Sequence, residues 1–102
     1  MKFRLVVADI DGTLIAPGES GNVPLSDRLI KTVAKVKEKG VIFSVATARS
    51  FDKIEGIVKK LNLSSPIILD NGASIYDCLV GKYIYTTYIP ASIVTKSIEL
   101  LK

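Results

Sequence analysis

Hydrophobic and polar positions alternate between two periods along the chain, and that alternation predicts its elements. Phe3-Arg4-Leu5-Val6-Val7-Ala8 is apolar and β-branched at both odd and even positions. Such a run suits a parallel strand covered on both faces. Asp9 to Pro24 is rich in Gly, Pro, Asn and Ser and reads as a loop. Ser26 is an N-cap residue type, and Leu29, Ile30, Val33 and Val36 follow at helical spacing. The spacing predicts a helix from there through Lys39, with Gly40 as its stop. Val41-Ile42-Phe43-Ser44-Val45-Ala46 predicts a second buried strand, followed by the turn Thr47-Ala48-Arg49-Ser50. A second helix is expected over Phe51 to Leu61, with Ile54, Ile57, Val58 and Leu61 inward. Pro66-Ile67-Ile68-Leu69 predicts a third strand. Ser74–Asp77 and Lys82–Tyr88 flank Val80-Gly81 as a β-hairpin, and a helix begins at Pro90.

The order βαβαβ implies an α/β fold whose three parallel strands are joined by right-handed crossovers. In such sheets ligands bind beyond the carboxyl ends of the strands. Three polar clusters fall at those ends: Asp9 with Asp11, Thr47 with Arg49, and Asp70 with Asn71. They are far apart in sequence and are expected to converge in space.

Composition narrows the chemistry. The 102 residues contain no histidine and one cysteine, Cys78. Histidine-dependent nucleophiles, bases and metal ligands are excluded, and so is an intrachain disulfide. The 48% hydrophobic and 24% charged content is that of an ordinary globular domain. No apolar run reaches the length of a membrane span, and no cleavage-site pattern follows the short apolar run near Met1. A cytoplasmic protein is expected, with no membrane partner. The net charge of +4 comes largely from lysines at helical spacing, without interleaved aromatics, so no nucleic-acid partner is expected.

Asp9 and Asp11 stand two apart, which on an extended strand end points them the same way. Two carboxylates at one site repel each other, and a hard cation bound through oxygen relieves that repulsion. Magnesium suits this role because it accepts few protein ligands and pairs with phosphate oxygens. One carboxylate can then attack phosphorus, and the other can pass a proton to the leaving oxygen. Gly12 permits a sharp turn, and the hydroxyls of Thr13 and Thr47 can donate to phosphate oxygens. Each signal has a plainer explanation when taken alone. Asp-Gly-Thr is a common turn, Asn71-Gly72 suits a type I′ turn, Thr47 suits a strand or a cap, and Arg49 suits a surface. Their placement at three consecutive strand ends favours function.

Asp9-Ile10-Asp11-Gly12-Thr13-Leu14 resembles the first signature of the haloacid dehalogenase superfamily. Ser44-Val45-Ala46-Thr47-Ala48-Arg49 is similar to the second signature in its Cof-type, sugar-phosphatase branch, with Ala48 where that branch usually has glycine. Ile68 to Tyr76 resembles the branch's third-strand segment. The resemblance implies a partial Rossmann-like three-layer sandwich and a phosphatase working through an aspartyl-phosphate. Asp9 would be the nucleophile and Asp11 the general acid and base. Magnesium would be held by the Asp9 carboxylate and the Asp11 backbone carbonyl. Thr47 would bind the phosphoryl group, beside the Gly12 and Thr13 contacts that the loop chemistry suggests, and Arg49 and Asn71 would line the side of the substrate, a small phosphorylated metabolite such as a sugar phosphate.

The resemblance also implies a division into residues 1–79, the first part of a core domain, and 80–102, the start of an inserted cap. The lysine of the family's third signature and the acidic residues of its fourth lie beyond that cap. Lys96, Lys102 and Glu99 do not match them. Truncation, feeble or absent turnover by these residues alone, and a homodimer or larger assembly through the open edge of the first strand or through the hairpin are therefore expected. The alternative is a non-catalytic relative that binds magnesium, phosphate or a partner chain. A receiver-like domain is disfavoured because the Asp-Gly-Thr loop follows the first strand.

Overall fold

The computed structural model describes residues 3–16 and 25–102. The expected loop at residues 17–24 lies outside the described residues. Five strands form one sheet in the order β1 (Leu5–Asp9), β2 (Ile42–Ala46), β3 (Pro66–Leu69), β4 (Ser74–Asp77), β5 (Lys82–Thr86). The helices are α1 (Asp27–Glu38), α2 (Phe51–Lys60) and α3 (Ala91–Leu100). Strands β1, β2 and β3 are parallel, as the crossovers require. The α/β architecture expected from the sequence is present.

Local chemistry explains the elements. The Ser26 side chain accepts a hydrogen bond from the Leu29 amide at 3.1 Å and starts α1. Gly40 follows α1 with φ +82°, a left-handed conformation that glycine adopts without a steric penalty. Helix α2 starts without a side-chain cap of its amides. Ser50 occupies the N-cap position, but its hydroxyl binds the Asp52 carboxylate rather than a helix amide.

The core is built from alternate positions of the sheet and one stripe of each of the first two helices. Ile10, Val45, Ile54, Ile67 and Leu69 are fully buried, with Val33 and Ile57 nearly so. Tyr76 on β4 stacks on Phe51 of α2 at 4.1 Å between ring centroids and meets Tyr83 of β5 edge-on at 5.2 Å. These contacts tie the antiparallel strands to the helical layer.

The β2–β3 pairing has a single register pair, Ala46 with Ile68. Pro66 has no amide to give to a ladder, which accounts for part of that economy. Side chains take over at this end of the sheet. The Ser44 hydroxyl donates to the Pro66 carbonyl at 2.5 Å, and the Ser65 hydroxyl donates to the Phe43 carbonyl at 3.0 Å.

Two features differ from the sequence expectation. Strand β1 forms the edge of the sheet, in line with the open edge expected for it, but its faces are not covered: Leu5, Val6 and Val7 are 54, 37 and 46% exposed. Its two-sided apolar run calls for covering layers that residues 3–16 and 25–102 do not supply. Strand β4 also pairs antiparallel with β3 across Asp70–Ala73, so the expected hairpin of β4 and β5 extends back to β3. The sheet is therefore mixed and continuous through Thr86.

Candidate active site

Parallel pairing sets the carboxyl ends of β1, β2 and β3 side by side. A cavity of about 320 Å³ opens there, lined by Asp9, Ala46, Thr47, Ala48, Ile68, Asn71 and Gly72. One residue from each predicted polar cluster, Asp9, Thr47 and Asn71, meets in it.

The loop after β1 is held by its own backbone. The Ile10 carbonyl accepts from the amides of Thr13, Leu14 and Ile15, and the Gly12 amide donates to the Ile15 carbonyl at 2.8 Å. Gly12 has φ +81°, which a side chain would oppose. Ile10 is buried beneath the loop and anchors it, leaving Asp9 exposed and Asp11 half-exposed. Asp9 Oδ1 accepts from the Ile10 amide at 2.9 Å, which fixes one carboxylate oxygen.

The second and third strand ends are strapped together. The Thr47 amide donates to the Ile68 carbonyl, the Asn71 amide to the Thr47 carbonyl, and the Asp70 amide to the Arg49 carbonyl. Asp70, Asn71 and Gly72 have φ of +52°, +55° and +93°. Aspartate and asparagine tolerate this left-handed region better than other side chains, and glycine enters it freely. The Ser74 hydroxyl, nearly fully buried, donates to the Asp70 carboxylate at 2.5 Å and closes the turn. Thr47 is also buried, and its Oγ1 accepts from the Arg49 amide at 3.1 Å. That leaves the hydroxyl proton for a different acceptor.

Arg49 and Asp11 form a two-point ion pair across the mouth of the site. Arg49 Nε donates to Asp11 Oδ2 at 3.0 Å, and Nη2 donates to Oδ1. This hydrogen bonding, reinforced by the guanidinium charge, holds the Asp11 carboxyl below the usual carboxylate range. The same contact holds Arg49 above its ordinary value. A depressed native pKa contributes stability that is present above the unfolded value and lost as pH falls through the native one. Acid unfolding of the Asp11→Asn protein is therefore expected to show a shallower loss of stability below about pH 4 than the parent chain. Urea titrations at pH 3 and pH 6 measure the difference, and equal slopes in the two proteins would refute it.

The predicted site residues thus fall into three groups. Asp9, Thr47 and Asn71 line the cavity, and Asp11 and Arg49 pair beside it. Gly12 and Thr13 shape the loop but are not among the lining residues. The walls Ala46, Ala48 and Ile68 and the buried Ser74 were not singled out from sequence, whereas Asp70, named there at the third strand end, holds the turn with Ser74 and does not line the cavity. Among the described residues no group of three or more acidic or sulfur side chains gathers as a metal cage. The exposed Asp9 carboxylate nevertheless suits magnesium, which binds through one or two carboxylates and keeps several waters. Among the described residues no helix is long and apolar enough to cross a membrane.

The likeness of the chain to known proteins extends over nearly its whole length. The sequence profile of the haloacid dehalogenase-like hydrolases matches residues 6–102. A protein from Buchnera aphidicola subsp. Baizongia pistaciae is 33% identical over 97 residues, covering 95% of this chain and 34% of the relative. An HMP-PP phosphatase from Shigella flexneri is 29% identical over 90 residues, covering 88% and 31%. Among solved structures, a HAD-superfamily phosphatase from Bacteroides thetaiotaomicron superposes with a TM-score of 0.80 at 28% identity, over 96% of this chain and 34% of its own. The chain spans about a third of the length of the curated relatives it matches. On the strength of the profile match and the fold, the chain belongs to the haloacid dehalogenase-like hydrolases.

Proposed function

We propose that this chain carries the nucleophile half of a magnesium-dependent phosphomonoesterase site. The supporting observation is the cavity at adjoining strand ends that Asp9, Thr47 and Asn71 line together. In this reading the Asp9 oxygen not held by the Ile10 amide attacks phosphorus. The bond from phosphorus to the ester oxygen breaks, and the departing oxygen takes a proton from Asp11. Asp11 then draws a proton from water, which attacks the aspartyl-phosphate and releases phosphate and Asp9. Thr47 donates to a phosphoryl oxygen, Gly12 and Thr13 contribute from the loop, and Asn71 and Arg49 meet the substrate. Magnesium, held by the Asp9 carboxylate and the Asp11 backbone carbonyl, would supply charge neutralisation at the phosphoryl oxygens.

Substrates of this site are small phosphorylated metabolites, a class that the sugar-phosphatase signature and the relative named for HMP-PP both point to. The lone cysteine and this substrate class fit the cytoplasm. Residues 1–79 read as part of a catalytic core and 80–102 as the start of a second unit. Because no lysine lines the cavity, transition-state charge is only partly offset by these residues, and low turnover by the 102-residue chain alone is expected. Binding is therefore the sharper test. Beryllofluoride, a phosphoryl mimic, is expected to bind the purified chain only when magnesium is present, as read by ¹⁹F NMR. Identical spectra with and without magnesium would refute the reading.

The open β1 edge supports a second element of the proposal, self-association. Leu5, Val6 and Val7 present unpaired backbone and apolar side chains together. Light scattering is expected to show a concentration-dependent dimer or larger species, reduced by Val6→Lys. A monomer at every concentration would count against it.

A further inference from the structure

The Asp11–Arg49 pair bears on substrate choice. Both Asp11 carboxylate oxygens are engaged by Arg49, one through Nε and one through Nη2. The two residues come from different strand ends, and the Arg49 side chain is 15% exposed against 41% for Asp11. The guanidinium is thus the better-seated partner, beside the cavity, and the carboxylate is the more movable one. The fork that grips a carboxylate at two points fits a phosphate equally well.

We propose that Arg49 determines specificity by exchange: in the ligand-free site it holds Asp11, and it gives up that carboxylate for an anionic group on the leaving side of the substrate. The inference rests on the assignment above, in which Asp11 serves the leaving oxygen and so marks that side. While both its oxygens are gripped, Asp11 is held away from the reacting bond. A substrate with a second anion near that bond replaces Asp11 on Arg49, two contacts for two, and frees Asp11 to turn to the leaving oxygen. A neutral leaving group has no such replacement and must break the pair uncompensated. The favoured class is therefore phosphate esters whose leaving group carries a second anion close to the scissile bond, such as diphosphates and vicinal bisphosphates.

The test is a binding cycle on the metal-free chain, with a chelator present, comparing methylenediphosphonate with methylphosphonate. The diphosphonate is expected to bind about tenfold more tightly, the scale of one charge-assisted two-point contact. That preference should vanish in Arg49→Gln, weaken in Arg49→Lys and persist in Lys31→Gln, which removes an exposed positive charge from α1. Asp11→Asn should tighten diphosphonate binding more than Asp9→Asn does, although each removes one negative charge, and the excess should disappear when Arg49→Gln is added. The Arg49 Nε–H resonance, followed by NMR, should move on adding diphosphonate and in Asp11→Asn. No diphosphonate preference, or equal effects of Asp11→Asn and Asp9→Asn, overturns the exchange. If magnesium-dependent beryllofluoride binding survives that result, the phosphatase reading stands without it. A preserved exchange pattern, with no phosphomonoester hydrolysis by the longest natural polypeptide that contains these residues, removes the phosphatase reading instead.

Discussion

Asp9→Asn is expected to lower magnesium-dependent phosphomonoester hydrolysis by at least about a thousandfold, equivalent to roughly 4 kcal/mol of transition-state stabilisation. The assay belongs on the longest natural polypeptide that contains these residues. The expectation follows from the lack of a substitute. No histidine exists in the chain, and both oxygens of Asp11 are bound to Arg49. Asparagine keeps a carbonyl oxygen that can accept from the Ile10 amide, so the loop should hold its shape. Stability should stay within about 0.5 kcal/mol of the parent. Rapid quenching with labelled substrate should trap a hydroxylamine-sensitive acyl-phosphate in the parent and none in the variant. Full activity in Asp9→Asn would remove the proposed nucleophile.

Ile67→Ala should have the largest effect on stability, about 2–5 kcal/mol. Ile67 is fully buried in β3, where it sits opposite Tyr76 of β4. Its loss combines the transfer free energy of the deleted atoms with a cavity beneath the middle strand. Small domains have only about 5–15 kcal/mol in total, so the variant should unfold at a much lower urea concentration. Ile84→Ala on the exposed strand β5 is the matched control, with an expected change within about 0.5 kcal/mol. Equal midpoints for the two variants would contradict the core assignment.

Much of this architecture was legible because each element carries its own period. The helical stripe at Leu29, Ile30, Val33 and Val36 and the two-sided apolar run at Val41–Val45 specify type and burial locally. The direction of β4 was not legible. Asp70-Asn71-Gly72-Ala73 reads as a strand-end loop, and no residue within it states that the next strand will return along β3. The open edge of β1 was expected, but the exposure of its faces was hidden, because a sequence records which side chains are apolar and not what covers them. In the site, the meeting of Asp9, Thr47 and Asn71 followed from strand direction alone. The grip of Arg49 on Asp11 did not, since the two are 38 positions apart and each looks ordinary in its own loop.

The two reversals after β3 have a mechanical consequence. Strand β4 carries the chain away from the cavity and β5 carries it back, so Thr86 ends beside the Asp70–Gly72 turn. The Thr87 amide fastens there, donating to the Ala73 carbonyl at 2.8 Å. Tyr88, Ile89 and Pro90 then lead into α3, whose ten residues are all exposed. The helix is in effect a lever about 15 Å long. Pro90 already belongs to that lever, its carbonyl accepting from the Ile93 and Val94 amides, so the direction of α3 relative to Asn71 is set at Tyr88 and Ile89 and by no strand.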